Sequence, residues 1–232
     1  MTPTWFLSQL HPQQPGGWLL VSWLLGLGGL MGVWLRPGWG QRIRRLGPLR
    51  WLLIPYVGLL AGGLSPRRMG LTEIDWLAGA GWGLGLLLAI LALLLIQFGD
   101  LRKSRAAVAT PGPASFVVLM SGLQEFHWAF LRGGLWSLLH TLDGAAAGMP
   151  ASLLAQPAYW AVWGAAVLVG VELLAASTVR RIGLTEGLIQ IFILLATSVL
   201  FLYTRNFWLC WLLHAGMRLL LAQWLTPLQK AI

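Results

Sequence analysis

Two stretches of this sequence bring together residue types that can do chemistry. In 121–134, Gln124, Glu125, His127 and Arg132 stand among Leu, Phe, Trp and Ala, and in 207–225, His214 and Arg218 interrupt an apolar run. A carboxylate can act as a general base, an imidazole can carry or donate a proton, and a guanidinium or amide can stabilise an oxyanion. On a helix, positions i, i+4 and i+7 share a face, which aligns Glu125 with Trp128, Ala129 and Arg132 and turns His127 elsewhere. Gln124 lies about 100° round from Glu125, so both edge one cavity. His214 and Arg218, four apart, form a second polar stripe. A charge at a bilayer centre costs about 2.5–3.5 kcal/mol on insertion scales, so both stripes are expected to face a common interior.

The elements that must position them are apolar helices. The chain is 57% hydrophobic and 10% charged, with mean hydropathy +0.73, which leaves too little charge to cover a water-facing surface. Apolar blocks at 18–35, 51–64, 74–98, 114–131, 157–176, 188–203 and 207–225 approach the length that spans hydrocarbon. Helices are the economical way to pair the backbone there, so the expected fold is all-α, a polytopic transmembrane bundle of about seven spans. Block 51–64 is the short one, which suits a tilted or re-entrant segment. Trp18, Trp34, Trp51, Trp76, Trp208 and Trp224 lie near block ends, where an indole sits well at headgroup level.

With seven spans, one side receives Arg36, Arg42, Arg44, Arg45, Arg50, Arg102, Lys103, Arg105, Arg180, Arg181 and Lys230. The other receives Arg67, Arg68, Arg132 and Arg205, and Arg218 stays inside a span. The basic excess marks the cytoplasmic side, so the N-terminus is expected outside and the C-terminus in the cytoplasm. The same placement reads the net charge of +9 as membrane orientation rather than nucleic-acid binding.

Residues 1–17 carry no basic residue and three prolines, which predicts an irregular arm and no cleavable signal peptide. N-terminal spans occupy 18–106, a Pro/Gly-rich linker 107–115, and a C-terminal core 116–232. The segment 133–156 is less apolar and is expected to lie along the interface, with His140 and Asp143 solvated. Arg67–Glu73 and Arg180–Glu186 read almost alike, but their flanking blocks do not match, so a shared way of entering the membrane explains them better than duplication. Cys210 is expected to be a small packed residue, and Glu172, an acid within an apolar block, to make an interhelical or intersubunit polar contact.

In residues 74–225 the sequence resembles the CPBP family, the CaaX-protease and bacteriocin-processing proteins also called Abi proteins. Their first motif is Glu-Glu-x-x-x-Arg, often followed by Gly. Gln124-Glu125 stands at the Glu pair, with Arg132-Gly133 three residues later than the pattern. Their third motif is His-x-x-x-Asn or Asp, in a late helix after a short turn. His214 and Arg218 match that spacing after Tyr203-Thr204-Arg205-Asn206, with Arg218 in the Asn place. The second motif, Phe-x-x-x-His, belongs in 157–176, which offers Tyr159, Trp160 and Trp163 but no His.

The resemblance implies a CPBP-like core and a site of Gln124, Glu125, Arg132, His214 and Arg218, in which acid and second-motif His activate water and the later pair steadies the oxyanion. Without the second His, it implies a catalytically weak or inactive homologue that binds or stabilises a membrane-protein partner. The alternatives are an active intramembrane endopeptidase using Glu125 and His214, holding a transmembrane substrate helix, and a small-solute transporter. No cofactor is expected; a zinc site would need His127 to turn inward beside Glu125 and His214. Arg218 is expected to neutralise Glu125, with His214 in the same cluster.

Overall fold

The structure is a computed structural model that describes residues 10–35, 40–98, 113–143, 155–180 and 184–225. It is all-α among the described residues, with seven helices: α1 Pro15–Leu35, α2 Gly40–Leu60, α3 Trp76–Phe98, α4 Ala114–Asp143, α5 Pro157–Arg180, α6 Leu184–Thr204 and α7 Phe207–Leu225. Much of the expected arm, the linker and the stretch 144–154 lie outside the described residues.

Local chemistry sets several helix starts. Pro15 and Pro157 open α1 and α5, where a missing N–H costs nothing. Asp75 Oδ1 accepts from Ala78 N at 3.0 Å and caps α3. Asn206 Oδ1 accepts from Trp208 N and Leu209 N at 2.9 and 3.2 Å and caps α7. Between α6 and α7, Arg205 takes a left-handed φ of 46° and closes the turn by donating its N–H to Phe201 O.

Three expectations change. α2 is not a 14-residue fragment but a 21-residue helix that carries Arg42, Arg44, Arg45 and Arg50 along its first half, so the basic stretch is helical rather than loop. α4 does not stop at residue 131. It runs for 30 residues to Asp143, so 133–143 extends the helix instead of forming a separate piece. The helix continues through Arg132 because that charge is neutralised in the interior and is no longer a reason to leave it; His140, near its end, is exposed as expected. The near-identical seven-residue stretches differ locally. Glu73 sits at φ 56° in a turn, while Glu186 lies in the first turn of α6.

α4 is the centre of the bundle. It packs against α1, α2, α5 and α7, while α6 packs against α3, α5 and α7. Trp128, Ala129, Phe130, Leu131 and Arg132 are all buried, so α4 is enclosed around its whole circumference. Close approach is permitted by small residues: a Cβ at Gly134 would lie 2.8 Å from Leu19 Cδ2, and one at Gly133 2.7 Å from Met69 Cγ.

Large apolar side chains stand exposed on the outside, and a few polar groups are buried within a mainly apolar core. Leu60, Leu77, Val167 and Leu212 are each more than 60% exposed, while Glu125, His127, Arg132, Thr197, Ser198 and His214 are buried. Two stretches, Pro157–Ser177 and Glu186–Thr204, are long and apolar enough to cross a membrane, which points weakly to membrane association.

Candidate functional site

α4 presents Glu125 toward α6 and α7, and the carboxylate is fully buried. Side chains on a helix lean toward its N-terminus, so Arg132 folds back along its own helix and donates from Nη1 to Glu125 Oε1 at 2.7 Å. The other arm of the guanidinium crosses to α6, where Nη2 donates to Thr197 Oγ1 at 3.1 Å and Ser198 Oγ at 3.3 Å. The Phe201 ring covers the cation, 5.1 Å from centroid to Cζ. The remaining carboxylate oxygen, Oε2, is 3.1 Å from His214 Nδ1 on α7, and the imidazole stacks on Trp128 with centroids 4.9 Å apart. A carboxylate only accepts, so Nδ1 carries the proton and donates. His214 Nε2 is buried with no hydrogen-bond partner among the described residues.

Gln124 edges the same interior and joins different groups. Its Nε2 donates to Gln190 Oε1 at 3.3 Å, and its Oε1 accepts from Arg218 Nη1 at 3.3 Å. The expected neutralisation of Glu125 by Arg218 is therefore wrong: Arg132 is the counter-cation and Arg218 bonds the neighbouring amide. Phe207 meets Phe126, His214 meets Glu125 and Arg218 meets Gln124, so successive stretches of α7 cross over adjacent positions of α4. A turn further along α7 has already passed the carboxylate.

Arg132 also leaves the group of outward-side loop residues, since it is buried in mid-helix. Gln124–Gln190 and Arg132–Thr197 form two rungs with similar spacing on both helices, so α4 and α6 run in the same direction.

A second polar cluster lies on the opposite side of α4. Arg50 of α2 reaches Glu172 of α5 with Nη2–Oε2 at 3.1 Å and Nη1–Oε1 at 3.4 Å, and Nη1 donates to Ser22 O of α1 at 2.8 Å. His127 Nε2 is 3.2 Å from Glu172 Oε2, and its ring is flanked by Trp51 and Phe130. Glu172 thus makes the interhelical contact expected of it. His127, which a zinc site with Glu125 and His214 would need, is engaged here instead. Arg50, assigned to a loop, is a bundle residue. Cys210 is buried as expected, its thiol donating to Thr197 O at 3.4 Å.

The structure thus brings Glu125, Arg132 and His214 into one bonded group and joins Gln124 to Arg218 beside it. Thr197, Ser198 and Gln190 were missed. Their signal was present as three hydrogen-bonding residues inside the apolar block 188–203, each of which needs a partner in a dry interior. From α5, on which the resemblance would place the second motif, the acid Glu172 is committed to Arg50 and His127.

As chemistry, the Glu125 carboxylate is held by a cation on one oxygen and an imidazole on the other, an arrangement that stabilises its charge. Comparison with known protein families, with curated proteins and with solved structures finds no match.

Proposed function

We propose that this chain is a multi-span integral membrane protein of the CPBP kind, N-terminus outside and C-terminus cytoplasmic. In this reading the inherited catalytic group serves as a closed structural core, and the protein binds or stabilises a membrane partner. The apolar side chains on the outer face and the charged clusters held inside the core support immersion in lipid, and the parallel course of α4 and α6 suits spans that alternate in direction. The observation that carries the non-catalytic reading is that both oxygens of the buried Glu125 are engaged, by Arg132 and by His214. A general base needs a lone pair within reach of water, and this carboxylate is fully buried with a donor on each of its oxygens.

The test is cleavage by purified protein of prenylated CaaX peptides and of transmembrane substrates, alongside identification of proteins that co-purify in mild detergent. No cleavage and a stoichiometric membrane partner are expected. Turnover that disappears in Glu125→Gln would overturn the reading.

One observation favours the endopeptidase alternative. His214 is oriented by a carboxylate through Nδ1 and keeps an unpartnered Nε2, the tautomer in which an imidazole takes a proton from a nucleophile. Activity lost equally in Glu125→Gln and His214→Gln, and insensitive to chelators, would establish that alternative.

A further inference from the structure

Three arginines enter the described interior, and two of them have a carboxylate: Arg132 has Glu125 and Arg50 has Glu172. Arg218 has none within 4.0 Å among the described residues. Its one hydrogen bond goes to a neutral amide, Gln124 Oε1, at 3.3 Å. A guanidinium has five N–H donors in a planar fork, and among the described residues no other acceptor meets this one. Beside it, Gln124 has committed its oxygen to Arg218 and its nitrogen to Gln190. Glu186, in the first turn of α6, acts on Arg218 electrostatically without forming an ion pair.

Arg218 is partly exposed, unlike the buried Arg132, so a ligand can reach it. It lies about 10 Å from the end of α7 at 1.5 Å per residue, near enough for a long side chain to reach headgroup depth. The planar fork matches the paired oxygens of a phosphate.

We propose that Arg218, held in place by Gln124 and Gln190 where they bridge α4 and α6, binds a phosphate-type oxyanion. The headgroup of an anionic lipid in the cytoplasmic leaflet is the source favoured by the topology, so this site rests on the membrane reading given above. The bound oxyanion supplies a directly bonded counter-charge and ties the cytoplasmic halves of α4, α6 and α7 together.

The experiment measures the thermal stability of the purified full chain in neutral detergent with phosphatidylglycerol, with phosphatidylcholine and with inorganic phosphate, together with retained lipid by native mass spectrometry. Phosphatidylglycerol is expected to raise the melting temperature by several degrees and to be retained, and phosphatidylcholine to do neither. Arg218→Gln should lose that gain and Arg218→Lys keep part of it. Arg205→Gln, which removes the same charge from an exposed site, should keep all of it.

An equal gain from inorganic phosphate, also lost in Arg218→Gln, sustains the site and assigns it a free oxyanion. Equal effects of the two lipids together with no phosphate effect, or a full gain in Arg218→Gln, overturns the proposal. If Arg218→Gln does not fold, the wild-type selectivity and Arg218→Lys decide on the same criteria. Release of the protein from membranes by carbonate would sink the membrane reading and leave the phosphate arm standing. Failed lipid and phosphate selectivity in a carbonate-resistant protein sinks only the site.

Discussion

Arg132 reaches back two turns along α4 to place its Nη1 2.7 Å from Glu125 Oε1. The ion pair is therefore internal to one helix. α6 and α7 pack on a group whose net charge is cancelled within α4, adding Thr197, Ser198 and His214 as hydrogen-bonding partners.

Breaking this pair from one side should cost more than removing it. A buried charge left alone costs about 3–5 kcal/mol, whereas a neutral replacement of both partners leaves no uncompensated ion. Glu125→Gln and Arg132→Met are each expected to lower stability by about that amount, and the double variant by less than the sum of the two. Thermal or denaturant unfolding in detergent measures all three. Additive losses would mean that the two groups do not depend on each other.

Much of this arrangement was legible in the sequence. Glu125 and Arg132 share a helical face, and His214 falls in the block whose layout resembles a late histidine motif, so the three could be named before their contacts were known. Their pairing was not legible, because Arg132 followed the last strongly apolar residues and read as the start of a loop. Periodicity reports which face a residue occupies and not the angle at which two helices cross. The crossing of α7 over α4 sends His214 to Glu125 and Arg218 to Gln124. Arg50 was misplaced for a related reason: counting basic residues by side treats every Arg at a block edge as a loop residue, while this one extends inward to Glu172. The apolar blocks themselves were reliable, since each of the seven matches a helix.

The turn after α2 holds the turn before α7 by backbone contact, and Gly70 is the residue that allows it. Its φ is +74°, its carbonyl accepts from Phe207 N at 2.9 Å, and a Cβ there would lie 2.5 Å from Arg205 O. Both the conformation and the space exclude a side chain. Gly70→Ala is expected to destabilise by about 1–3 kcal/mol. Asn206→Ala removes the α7 cap and should cost about 1 kcal/mol, within a range of about 0.5–2. Denaturation midpoints check both, and a neutral Gly70→Ala would show that the two turns are not in contact.

The proposed topology has its own outcome. With Cys210 replaced by Ala, a single cysteine introduced at position 8 should react with an impermeant thiol reagent from outside intact cells, and one at position 108 only after the cytoplasmic face is opened. Cys210 is buried against Thr197, so its replacement touches neither surface. Labelling of both positions from the same side would rule out an odd number of crossings between them.

Gly26 makes room for the second ion cluster, which gives a test whose sign reverses with background. A Cβ at Gly26 would overlap the Arg50 guanidinium, with Glu172 Oε1 at 3.4 Å. The obstructed group is the end of a flexible side chain, so Gly26→Ala should displace the guanidinium from Glu172 and Ser22 O without moving the helices. The loss is that of a largely buried charge-assisted contact, about 1.5–3 kcal/mol. In an Arg50→Met background no guanidinium stands in the way. Ala is then simply the better helix former, and the same substitution should stabilise by about 0.5–1 kcal/mol. Unfolding of the four proteins in one detergent completes the cycle. An equal effect of Gly26→Ala in both backgrounds would show that Arg50 does not lie against α1 at this position, and that Glu172 and His127 are held by something else.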